Sequence, residues 1–169
     1  MNIFYLDRDP KTAACMQCDR HVVKMILESA QLLSTAHREI DGDEWANNQG
    51  LYKSTHKNHP SAVWARCSAD NYKWLFRHFL ALCDEYSYRY GKTHLTDTKF
   101  RNVLGFSPTN ISTIESFTNP PQCMPDEYKD SNTVIGYRNY YALDKAPNDW
   151  FCYTKARPEP TFIKEIANG

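Results

Sequence analysis

The stretch Cys18 to Glu39, CDRHVVKMILESAQLLSTAHRE, constrains this chain most. It reads as one long helix that is apolar over most of its circumference. At about 100° per residue, Val22, Val23, Met25, Ile26, Leu27, Ala30, Leu32 and Leu33 cover roughly 220° of arc. The remaining stripe carries His21, Lys24, Glu28, Gln31, Thr35 and Glu39. A core helix with one narrow polar stripe forms either a solvent window or the floor of a cleft. The content of the stripe favours the cleft, because His21 and Glu28 stack two turns apart on one face.

The rest of the chain reads as helix-dominated. Met1 to Leu6 is a short strand or extended arm, and Asp7-Arg8-Asp9-Pro10 turns the chain. Residues 41–58 read as polar loop. Helical spacing returns from Trp64 to Tyr90, where Tyr72, Leu75, Phe79, Leu82 and Tyr86 recur on one face, with a break near residues 68–70 and Gly91 as the stop. A short helix is expected from about Asp97 to Leu104, capped by Thr96 or Asp97. Residues 105–130 are rich in Pro, Thr, Ser and Asn and read as loop. Thr133 to Asp144 is the last helix expected, because Pro147, Pro158 and Pro160 interrupt the tail. The 169 residues suit a single compact domain, mainly α, with a long first helix and an irregular C-terminal segment.

Composition narrows the function. Net charge is zero, which argues against strong non-specific affinity for nucleic acid. Residues 61–110 are locally basic, with seven Lys or Arg against four acids. The 11 Tyr and 4 Trp are more than a core of this size needs and suit stacking on flat ligands. No apolar run opens the chain and none is long enough to span a membrane, so a cytoplasmic protein (host cytoplasm if phage-encoded) with reduced thiols is expected. Neither a Gly-rich phosphate loop nor a Gly-x-Ser-x-Gly elbow is present.

Three constellations carry chemistry. The first is the amino terminus with His21 and Glu28. An α-amino group has a reference pKa near 7.7–8.0, so part of it is a free nucleophile at neutral pH. Such an amine can attack an anomeric carbon while a carboxylate steadies the sugar's positive charge or moves protons. The second, Cys15-x2-Cys18-x2-His21, has ligand types suited to zinc, with His56 or His59 as a fourth. On a helix these three side chains rotate apart, and free thiols are the better reading, with no metal and no cofactor. The third, Thr55-His56-Lys57-Asn58-His59-Pro60 with Ser61 and Arg66, suits either a phosphate site at a helix start or a capped polar loop.

Asp19-Arg20-His21 followed by Glu28 resembles the first helix of the phage-type pyrimidine-dimer DNA glycosylases, often called endonuclease V. Tyr137-Arg138-Asn139-Tyr140-Tyr141, Lys145, Trp150 and Lys155 resemble that family's aromatic, basic C-terminal segment. The whole chain is also similar to proteins of tailed phages. The resemblance implies a helical DNA glycosylase, with or without abasic-site lyase activity, acting as a monomer on damaged or modified pyrimidines in duplex DNA. Glu28 becomes the catalytic carboxylate, His21 a phosphate holder or an orienter of Glu28, and the Met1 or Asn2 amine the nucleophile. Arg20, Lys24, Gln31, His59, Arg66, Tyr137, Arg138, Tyr140, Tyr141, Lys145, Trp150 and Lys155 are the expected DNA contacts.

The family's nucleophile is a small second residue exposed when methionine is removed, whereas Asn2 is larger than such removal usually tolerates. Either the Met1 amine serves one residue earlier, or water activated by Glu28 releases the base without strand cleavage. The alternative is a non-catalytic nucleic-acid or protein-binding module, in which Glu28 would be dispensable and the tail aromatics essential.

Overall fold

The computed structural model describes residues 1–169, and its regular structure is entirely helical. Helix α1 (Pro10–Cys15) is capped by the Asp9 carboxylate, which accepts from Thr12 N. Helix α2 (Asp19–Asp41) is the long helix anticipated from the sequence. It ends where Gly42 adopts φ +83°, a conformation costly for any other residue. Helices α4 (Pro60–Cys67) and α5 (Ala69–Tyr90) are separated at Ser68, whose hydroxyl accepts from Asn71 N. Gly91 closes α5 in the left-handed region.

Helix α2 lies across α5 and α4, and α1 packs on α5. Their apolar faces join one cluster of 34 buried residues that also takes in Ile3 to Leu6, Leu104, Ile111, Met124, Tyr137, Tyr141, Phe162 and Ile163. Residues from both ends of the chain therefore share one core.

Four expectations need correction. Residues 41–58 are not all loop: helix α3 (Asp43–Asn48) forms there, with Trp45 resting on His37 at 4.7 Å between ring centroids. Helix α6 runs from Leu95 to Phe100, and its cap is His94, whose Nδ1 accepts from Thr96 N. After α7 (Thr133–Tyr140) the chain widens into a π-helical turn, Tyr141–Lys145, instead of continuing as regular helix. Helix α8 (Thr161–Ala167) occupies the tail, because Pro160 sits at its N-cap, where proline's fixed φ suits a helix start. The arm before Asp7 has no regular structure, turns at Phe4 and pairs with no strand.

A charged knot lies between α2, α5 and the tail. Arg89, with a fully buried side chain, reaches Glu85 at 2.7 Å and Asp19 at 3.0 Å. Arg157 adds bonds to Glu85 of 2.8 and 3.0 Å, and Thr154 donates to Asp19 from its N and its Oγ1. Burial alone would raise the Glu85 carboxyl, but hydrogen bonds from Arg157 and Arg89 outweigh it and leave Glu85 below the usual carboxylate range.

Candidate active site

The stripe on α2 is roofed in part, while Lys24 and Glu39 stay exposed. Thr35 exchanges hydrogen bonds with Thr55, donating to its carbonyl and accepting from its N–H. Lys57 pairs with Glu39 at 3.7 Å, and Arg38 holds the carbonyls of Leu51 and Tyr52. The loop ends at His59, which caps α4 by accepting from Ser61 N on Nδ1. This loop covers the stretch of the stripe around Thr35.

Glu28 lies nearer the start of the helix, with its side chain only 15% exposed. Lys24 Nζ lies 3.4 Å from Oε1. The backbone N–H of Asn2 donates to Oε2 at 3.3 Å. The amino-terminal arm and the carboxylate two turns beyond His21 thus meet. His59 feels both: burial pushes its imidazole below its ordinary pKa, the amino terminus and His56 push the same way, and Glu28 opposes them. Ser61 and Cys123 border the same place, with Oγ and Sγ 3.5 Å apart.

Next to the carboxylate lies a basic and aromatic surface. Phe4 stacks on His21 at 4.3 Å and on Tyr140 at 6.3 Å. Trp150 leans on His21 at 5.2 Å, the Arg20 guanidinium covers Trp150 at 5.1 Å, and Lys145 covers Tyr140 at 4.4 Å. Arg20 is exposed, while Tyr140, Lys145 and Trp150 are half-buried, so all four keep a face toward solvent. Gln31 is half-buried on the same stripe as Lys24 and Glu28.

Several expected contacts are structural. His21 is only 6% exposed, and its Nδ1 is 2.9 Å from the Tyr141 hydroxyl. Burial first, then the charges of Lys145, Lys24 and Arg20, push its pKa down to about 3. Its hydrogen-bond partner is Tyr141, not Glu28. Tyr137 and Tyr141 are fully buried and offer no face to a base. Tyr137 donates to Pro121 O at 2.6 Å, and the Tyr141 hydroxyl accepts from Cys18 N at 2.8 Å. Arg138 is spent on Leu6 O at 2.8 Å and Asp7 at 3.3 Å, bracing the arm. Arg66 donates to Lys57 O and so braces the roof loop. Lys155 is exposed above the Tyr90 ring, beside the charged knot.

Cys15, Cys18 and His21 do not converge. Cys15 Sγ donates to Glu85, and no group of three or more His, Cys, Asp or Glu side chains is gathered to hold a metal ion. No helix is long and apolar enough to cross a membrane. Sequence reasoning missed the contributions of Phe4 and Cys123.

Comparison with known proteins agrees with this arrangement. The family model described as pyrimidine dimer DNA glycosylase matches residues 1–98, a span that contains the arm, all of α2 and the roof loop. No curated protein and no solved structure matches the chain. With more than half of its length matched, including both members of the Asn2–Glu28 contact, the chain belongs to the pyrimidine dimer DNA glycosylase family.

Proposed function

We propose that this protein excises damaged or modified pyrimidines from duplex DNA and cleaves the strand at the resulting abasic site, using an amino-terminal amine and Glu28. The observation that carries the reading is the 3.3 Å approach of the residue-2 nitrogen to Glu28 Oε2. The amine lone pair attacks C1′ of the deoxyribose. The C1′–N1 bond breaks, and its electron pair leaves with the pyrimidine, which takes up a proton. Loss of the amine protons and opening of the sugar ring give an imine at C1′. Removal of a C2′ proton then expels the 3′ phosphate, and water releases the cleaved strand. Glu28 is placed to accept the amine's proton and to face the positive charge that develops on the sugar.

Arg20, Lys24, Lys145, His59 at the end of the roof loop and Arg66 on α4 supply polar and charged contacts along the backbone, with Gln31 beside the reacting sugar and Lys155 further out. Tyr140 and Trp150 offer ring faces for a displaced base. His21, Tyr137, Arg138 and Tyr141 act from behind by fixing the arm and the π-helical turn. We also read residues 1–169 as one domain that works as a cytoplasmic monomer, since a single core spans both halves.

The test is incubation with UV-irradiated and with abasic duplex in the presence of borohydride. The expected result is a covalent adduct whose amino-terminal peptide mass identifies the reacting amine, Met1 or Asn2. Glu28→Gln should abolish base release while changing stability by less than about 0.5 kcal/mol. Wild-type protein that neither releases base nor forms an adduct would overturn the reading.

A further inference from the structure

We infer that the side chain of Asn2 is a positioning residue for the reaction, tethering the start of the chain to the 119–124 loop so that the residue-2 nitrogen stays at Glu28. This rests on the amine mechanism proposed above. The Asn2 Oδ1 accepts from Ile3 N at 2.8 Å and from Phe4 N at 3.0 Å. Those two donors fix which end of the amide is oxygen, so Nδ2 must be the donor to Cys123 O, 3.1 Å away. One amide therefore makes three bonds and clamps the arm on both sides of its own backbone.

The wall it holds is itself rigid. Tyr5 donates to Asn119 Oδ1 at 3.2 Å, Tyr137 donates to Pro121 O, and Trp64 Nε1 donates to Thr118 O at 2.9 Å. The turn within the arm is strained, because Phe4 holds φ +54°, a left-handed value unfavourable for a residue with a side chain. The two bonds to Asn2 Oδ1 and the Phe4–His21 stack hold it there. A small second residue could not reach Cys123 O, so asparagine here supplies a fixed position that the backbone alone does not.

The experiment compares wild type, Asn2→Leu and Asn2→Asp, with intact mass used to check that Met1 is processed alike in all three. Asn2→Leu keeps the side chain's size and removes all three bonds. Asn2→Asp keeps the acceptor oxygen and removes the donor to Cys123 O. The readout is the single-turnover rate of borohydride trapping on saturating abasic duplex, beside the Kd for that duplex. The expected result is a rate about tenfold lower or worse in Asn2→Leu, a smaller loss in Asn2→Asp, and Kd within twofold of wild type.

An Asn2→Leu variant that traps at the wild-type rate would overturn the inference. So would a slower rate matched by an equal loss of DNA affinity. If Asn2→Leu fails to fold, the Asp variant decides: a wild-type rate there overturns the tether. Wild-type protein without any adduct removes the mechanism and the tether together, whereas an active wild type with an equally fast Asn2→Leu removes the tether alone.

Discussion

Among single residues, His21 shows how burial redirects a side chain that sequence spacing makes look catalytic. It lies under Phe4 and Trp150 with three cations near, so a further positive charge there is strongly disfavoured. The folded ring stays neutral down to about pH 3, while the unfolded ring takes a proton near its ordinary value of 6.5. Between those values the unfolded chain binds a proton that the folded chain refuses. Stability from this residue is therefore complete above about pH 6.5 and is lost as the pH falls below it, by up to about 1.4 kcal/mol per unit. Replacing it by phenylalanine, which can keep the stack, should narrow the gap between urea stabilities at pH 7 and pH 5 by about 2 kcal/mol. An unchanged gap would mean that His21 is not the acid-sensitive group. The seven-residue interval to Glu28 was legible because both residues lie on one helix. The Asn2 and Phe4 contacts were not legible, because an arm without periodicity gives no face to read.

Elements follow the same division between local and long-range causes. Helices α2, α4 and α5 were legible from apolar spacing and from Gly42, Pro60 and Gly91 at their ends. Helix α3 was not, because six residues with one apolar anchor gain their stability from Trp45 lying on His37. The π-helical turn was equally hidden: Ala146 N reaches back five residues to Tyr141 O at 2.9 Å, which leaves Lys145 over the Tyr140 ring. Helix α7 meets the 119–130 loop at Gly136, where an added methyl would collide with the Gln122 amide. That amide cannot simply swing away, since it both donates to Asp130 O at 2.7 Å and accepts from Asp130 N at 3.1 Å. Gly136→Ala should therefore destabilise the protein by about 1–3 kcal/mol. Hydrogen exchange should locate the loosening in residues 119–130, and an unmoved loop with wild-type stability would contradict this account of the glycine.

The whole molecule is held by one apolar core and one buried charged knot. Asp19, which sequence spacing groups with His21, serves the knot and not the cleft, because Arg89 and Thr154 occupy its oxygens. Arg89→Met should cost about 3–5 kcal/mol, since it leaves Asp19 and part of Glu85 buried without their cation. Chemical denaturation would measure this, and a loss below about 1 kcal/mol would mean that water already reaches the knot. The family match ends at residue 98, yet Leu104, Ile111, Met124, Tyr137, Tyr141, Phe162 and Ile163 complete the core of the matched part. A fragment of residues 1–98 is expected to lack a cooperative melting transition by circular dichroism. The carbonyl of Cys123 receives the side chain of the second residue, 121 positions earlier. During synthesis the start of the chain must then wait, unfastened, until the ribosome has delivered the segment that grips it. On the proposed tether, nascent chains stalled before Cys123 emerges should trap abasic duplex more slowly than the released protein.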